Sequence, residues 1–252
     1  MTDQWYNTWS GMPWALLLLV RIQPPPLFYL KTQSIFLNCI LNFVFLGKST
    51  FLMKLIEHRK SLFTTHFARV MYCVPAHNAH LHEEFFNKLK EMCPEIELIL
   101  GLPKPNQINS DTLPKLLLID DLVKQLLADP FMEQCFVQNS HHQGCSIAFC
   151  TQNFYENSKS KTIVRQCNFK VFFNSNCDKI LLRNIGAQIE PSRPSILIEA
   201  FKLLQKQNPS DKYKYLLIDG DSQSAMPDFF IRTNIFPVND IIRPICFVLN
   251  TP

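Results

Sequence analysis

Short runs in which nearly every residue is apolar recur along this chain, and they limit its fold more than any other feature. Leu116-Leu117-Leu118-Ile119 is one, Cys145-Ser146-Ile147-Ala148-Phe149-Cys150 a second and Tyr213-Lys214-Tyr215-Leu216-Leu217-Ile218 a third. A strand with one face in water alternates apolar and polar residues, whereas a strand apolar at successive positions is covered on both faces, usually by helices. The intervening segments supply such helices. Ser49–Lys60 places Phe51, Leu52, Leu55 and Ile56 on one side, and His80–Met92, Lys179–Ile189 and Ser195–Gln207 are also amphipathic. Further strands are expected at Phe43–Leu46, Arg69–Val74, Ile96–Leu100, Phe169–Phe173 and Phe229–Ile231, with a helical stretch from Asp121 to about Gln138. The alternation predicts an α/β fold with a mainly parallel sheet flanked by helices.

At 252 residues the chain can bury a sizeable core. Residues 1–31 differ in texture: they hold Trp5, Trp9 and Trp14 and the Pro24-Pro25-Pro26 run, and they show no helix or strand period. The expected division is therefore a poorly ordered or unrelated segment over residues 1–33 and a globular domain over 34–252. Nine cysteines, none spaced as C-x-x-C, read as buried free thiols in a reducing, intracellular compartment. The apolar run Ile35–Leu46 falls short of the roughly 20 residues that a spanning helix needs, so no membrane partner is expected. A net charge of +4 permits contact with nucleic acid without demonstrating it.

Three motifs carry chemistry. Gly47-Lys48-Ser49-Thr50 stands between an apolar run and an amphipathic helix, as in the end of a phosphate-binding loop. In that reading Lys48 reaches the β- and γ-phosphates of ATP, the Ser49 hydroxyl holds Mg²⁺, and the helix N-terminus offers free N–H groups. The full pattern G-x-x-x-x-G-K-[ST] has a glycine where this chain has Asn42, followed by Phe43-Val44-Phe45-Leu46. Bulky apolar residues resist the conformations that wrap a phosphate. About seventy residues on, the run Leu116–Ile119 ends in Asp120-Asp121, where the first acid can hold Mg²⁺ and the second can orient or deprotonate water. The plain alternative is that one of them caps the next helix. The third motif is Thr151-Gln152-Asn153 after Cys150, whose Gln152 amide can sense a γ-phosphate. Among Lys159, Lys161 and Arg165, one can act as a finger toward a neighbouring subunit's nucleotide, although a solvated charged face explains them as well. His77, His80, His82, Glu83 and Glu84 read as solvated helix polarity.

Together these segments resemble the DNA-packaging ATPases of Polinton/Maverick elements, adintoviruses and related large DNA viruses, within the FtsK/HerA superfamily. The resemblance is carried by Gly47-Lys48-Ser49-Thr50-Phe51, Leu117-Leu118-Ile119-Asp120-Asp121-Leu122, Ser140-His141-His142 and Thr151-Gln152-Asn153-Phe154. It continues through Lys161-Thr162-Ile163, Val171-Phe172-Phe173-Asn174, Tyr215-Leu216-Leu217-Ile218-Asp219 and Arg232-Thr233-Asn234-Ile235-Phe236-Pro237. It implies a RecA-like P-loop core, Mg-ATP hydrolysis, a homo-oligomeric ring, double-stranded DNA and capsid proteins as partners, and a place in the nucleus or cytoplasm of a host cell. Family roles fall on Gly47, Lys48, Ser49 and Thr50 for nucleotide, Ser49 and Asp120 for Mg²⁺, Asp121 for water activation and Gln152 as sensor. The family shows an arginine before Thr-Ile where this chain has Lys161, and Arg165 lies one helical turn on. Nothing before Gly47 resembles the family, which implies a degraded or misjoined N-terminal portion.

Overall fold

The structure is a computed structural model describing residues 5–6, 19–22, 38–42, 47–63, 65–109, 113–136, 144–151, 163–165, 167–173, 179–207, 213–220, 230–239, 241 and 244–248. The chain divides into two compact units, residues 30–170 and residues 1–29 with 171–252.

The first unit is built on β3 (Asn38–Asn42), β4 (Arg69–Val74), β5 (Ile96–Leu100), β6 (Lys115–Ile119) and β7 (Cys145–Thr151). They pair in the order β3-β7-β6-β4-β5, and every pairing is parallel. Parallel neighbours need crossovers, which the helices supply. α1 (Lys48–Glu57) and α2 (Arg59–Leu62) lead from β3 to β4. α3 (Ala79–Met92) joins β4 to β5, α4 (Pro105–Ile108) joins β5 to β6, and α5 (Val123–Ala128) and α6 (Pro130–Gln134) join β6 to β7. All residues of β6 and β7 are buried, as their apolar runs require. The expected inner face of α1, Phe51, Leu52, Leu55 and Ile56, is the buried one.

Two expectations shift here. The strand before Gly47 is Asn38–Asn42, and Phe43–Leu46 lie outside the described residues. The helical stretch expected to about Gln138 is broken into α5 and α6. Pro130 has no N–H to continue α5, and Asp129 caps α6, its Oδ1 accepting from Phe131 N at 2.9 Å.

The second unit contains antiparallel pairings that the sequence reading did not anticipate. β9 (Tyr215–Asp219) pairs β10 (Ile231–Thr233), which pairs β11 (Ile245–Val248), and β11 pairs β2 (Leu19–Ile22), all antiparallel. β1 (Trp5–Tyr6) adds to β2. The remainder of residues 1–33, with the side chains of Trp5, Trp9 and Trp14, lies outside the described residues. β8 (Phe169–Phe173) matches its expected span, and β9 carries a buried ion pair, Asp219 Oδ2 to Arg232 Nη2 at 2.7 Å.

α7 (Lys179–Ile189) and α8 (Ile196–Gln207) pack together, and Gly186 of α7 lies close against Pro194 in the turn between them. A β-carbon there would stand 2.2 Å from the Pro194 carbonyl oxygen. Gly186→Ala is therefore expected to destabilise despite the better helix propensity of alanine, by ~1–3 kcal/mol. Urea unfolding of the variant checks this; unchanged or raised stability would mean that the turn over residues 190–195 yields freely.

Cys73, Cys93, Cys135, Cys145, Cys150, Cys167 and Cys246 are the buried thiols expected, with no disulfide among the described residues. Burial pushes the Cys145 thiol up to about 12 and that of Cys93 up to about 11. Among the described residues no helix is long and apolar enough to cross a membrane.

Candidate functional site

Because the five strands of the first unit are parallel, their carboxyl ends share one edge, where ligands of open α/β sheets bind. The register aligns that edge: Asn42 lies opposite Thr151, Phe149 opposite Ile119, and Ile119 opposite Cys73. β7 thus stands between the strand that precedes Gly47 and the strand that precedes Asp120.

Gly47 begins α1 from a left-handed conformation, φ 111°, which residues bearing a β-carbon rarely adopt. Its carbonyl accepts from Phe51 N at 2.9 Å, and among the described residues no side-chain cap hydrogen bond is made at this helix start. Lys48 follows at once, with Ser49 exposed and Thr50 half-buried.

The two acids take different positions. Asp120 is buried, and its backbone N–H donates to the Cys73 carbonyl at 2.9 Å. Its neighbour Asp121 turns outward through a left-handed backbone, φ 54°, which an aspartate tolerates better than most residues. The N-cap of α5 is Leu122, so neither acid is used as a cap. Lys48 Nζ donates to Asp121 Oδ1 at 2.7 Å and lies 3.5 Å from Asp120 Oδ1. Burial works against the Lys48 charge, but the Asp120 carboxylate and the Asp121 hydrogen bond outweigh it and hold the ammonium above its ordinary pKa.

These groups fit a phosphate with a divalent cation. Asp120 Oδ1 is buried and accepts no hydrogen bond among the described residues, so it is an oxygen with a lone pair to give. Lys48 and the uncapped start of α1 provide the positive side.

Two side chains at this site escaped the sequence reading. Tyr72 of β4 directs its hydroxyl to Asp120 Oδ2 at 3.2 Å and to His82 Nδ1 of α3 at 2.9 Å. Burial first, then the Asp120 carboxylate, drives the Tyr72 phenol pKa far up. His82, expected as solvated polarity, is half-buried against that ring. A signal was present: a lone hydroxyl inside Val70-Met71-Tyr72-Cys73-Val74 needs a partner.

The structure thus brings Lys48, Asp120 and Asp121 together. Gln152 and Lys161 lie outside the described residues, although Gln152 directly follows β7. Arg165 is exposed, on a short helical turn over residues 163–165.

No family model and no curated protein matches the chain. Solved structures to which it is similar include the genome packaging NTPase B204 from Sulfolobus turreted icosahedral virus 2 in complex with AMPPCP. That likeness has 13% identity and a TM-score of 0.40, covering 76% of this chain and 95% of that one. Another is B204, the DNA-packaging ATPase from Sulfolobus Turreted Icosahedral Virus, with 14% identity and a TM-score of 0.44, covering 76% and 96%. A likeness this remote assigns no activity to the chain.

Proposed function

We propose that this chain is a P-loop ATPase of RecA-like fold, and that it derives from a motor that moves double-stranded DNA. The reading rests chiefly on one observation: Lys48, at the start of α1, meets the paired acids after β6 at the carboxyl edge of a parallel sheet. The resemblance to packaging ATPases of Polinton/Maverick elements, adintoviruses and the FtsK/HerA superfamily narrows it to genome packaging. A homo-oligomeric ring, capsid proteins and a place in the host cell's nucleus or cytoplasm belong to the same proposal, as does an N-terminal portion, residues 1–33, unrelated to the family.

Lys48 binds the β- and γ-phosphates of ATP, and Gly47 lets the chain turn onto the helix beneath them. Ser49 and Asp120 would hold Mg²⁺, which when bound neutralises phosphate charge and orients it for in-line attack. Asp121 orients the attacking water from its more exposed position, and Gln152 senses the γ-phosphate. Lys161 or Arg165 reaches across to a neighbouring subunit's nucleotide.

Asn42 and Phe43–Leu46 favour a second reading, a RecA-like capsid- or DNA-associated protein, or a decayed element product, that hydrolyses nothing. The two separate on a variant with Asn42→Gly and small residues at positions 43–46. That variant is expected to hydrolyse ATP with Mg²⁺ and to lose the activity with Lys48→Ala. ATP binding without hydrolysis in the repaired chain would favour the second reading, and no ATP binding would overturn both.

A further inference from the structure

Tyr72 is fully buried in β4, between the apolar Val70 and Met71 on one side and Cys73 and Val74 on the other. Aromatic neighbours on α3 confine its ring: Phe85 meets it edge-on with centroids 5.5 Å apart, and Phe86 stacks on it at 6.5 Å. The hydroxyl therefore has little freedom, and it stands between Asp120 Oδ2 at 3.2 Å and His82 Nδ1 at 2.9 Å. A phenol has one proton to donate, and an ionised carboxylate only accepts. If the proton points to Asp120, the hydroxyl must receive one from His82. The imidazole then carries its hydrogen on Nδ1, because the partner sets which ring nitrogen is protonated.

We propose that Tyr72 and His82 are positioning residues for Asp120, forming the chain His82 Nδ1–H to Tyr72 O–H to Asp120 Oδ2, so that Oδ1 is presented to a divalent cation. This rests on the reading of Asp120 as a metal ligand. Three features of the site agree with it. The backbone N–H of Asp120 is held by the Cys73 carbonyl, so the residue is anchored to the strand that carries Tyr72. Oδ2 is engaged by Tyr72, whereas Oδ1 is buried and accepts no hydrogen bond among the described residues. Lys48 Nζ stands beside that same oxygen, 3.5 Å from Oδ1. A carboxylate tethered through one oxygen keeps its orientation, and a hydrogen-bonded second oxygen is how proteins orient an acid toward a metal.

Two measurements on the purified full chain test this. The first is the tautomer of His82 by ¹⁵N spectroscopy of the imidazoles, with its signal among the seven histidines identified by its loss in His82→Asn. Hydrogen on Nδ1 is expected. A neutral ring with hydrogen on Nε2 overturns the proposal, because the Tyr72 proton would then go to histidine and not to Asp120.

The second is Mn²⁺ affinity with a non-hydrolysable ATP analogue at millimolar concentration, read by electron paramagnetic resonance. Tyr72→Phe keeps the packed ring and is expected to weaken Mn²⁺ binding about tenfold, the lower end for loss of an outer partner, while leaving metal-free analogue binding unchanged. His82→Leu should fall alike, and His82→Asn, whose amide donates from the place of Nδ1, should keep most of the affinity. Equal Mn²⁺ affinity in wild type and Tyr72→Phe, with Asp120→Asn weaker than both, overturns the positioning role alone. Equal affinity in wild type and Asp120→Asn overturns the metal reading of Asp120, and the proposal with it.

Discussion

Titration of the purified chain with labelled ATP is expected to give an affinity in the millimolar range, about a thousandfold weaker than a micromolar P-loop site. Phosphate affinity in such loops comes largely from several backbone N–H groups aimed at one point. Gly47 and the uncapped start of α1 retain part of that arrangement. The wrap itself would have to come from Phe43-Val44-Phe45-Leu46, and Asn42 stands where the pattern has glycine. Losing three or four charge-assisted hydrogen bonds, each ~1.5–3 kcal/mol, removes at least ~4 kcal/mol, close to three decades in dissociation constant. The Lys48–Asp121 pair adds to the deficit, because that 2.7 Å contact must open before Lys48 can reach a phosphate. Restoring the glycine-rich loop should recover most of the affinity. Low-micromolar binding by the unaltered chain would mean that the cradle is rebuilt by other residues.

Replacing the two acids in the loop-restored chain should separate binding from hydrolysis. Asp121→Asn is expected to lower the hydrolytic rate ~10²–10⁴-fold, the usual range for a lost general base, while ATP binding is kept. Asparagine also tolerates a left-handed backbone, so a loss cannot be traced to φ 54° at this position. Removing the carboxylate also frees Lys48 from its pair, which favours phosphate contact. Asp120→Ala should instead weaken Mg-ATP binding, because Asp120 is the buried acid whose Oδ1 accepts no hydrogen bond among the described residues and lies 3.5 Å from Lys48 Nζ. Rates and dissociation constants measured together decide the matter; equal loss of binding in both variants would show that the roles are exchanged.

The sites of these changes were legible to different degrees. Asp120-Asp121 stood out because a run of apolar residues ending in acids places them at a strand's end by local pattern alone. The same pattern located β4, β5, β8 and α7 at the spans the structure has. Antiparallel pairing in the second unit was not legible. β10 begins two residues later than expected, and β11 is four residues near the chain's end. A four-residue apolar run has the same appearance in a loop, a helix or a strand, and only its partner decides. The break between α5 and α6 was readable in Asp129-Pro130, a capping residue followed by proline at the first helical position.

By itself, the sequence determined which segments are covered on both faces, where the helices turn their apolar sides, and that a helix follows Gly47-Lys48. Those properties follow from hydropathy at short range, where a residue's neighbours in the chain are its neighbours in space. Only the tertiary structure decided that β7 enters between β3 and β6, and that Lys48 meets Asp121 across 73 positions of sequence. It alone decided that Tyr72 reaches Asp120 across 48 positions while His82 approaches from α3. Hydrogen bonds and ion pairs act over a few ångströms and require particular atoms to meet. Their partners are therefore set by how the strands are ordered and registered, which the period of a sequence does not encode.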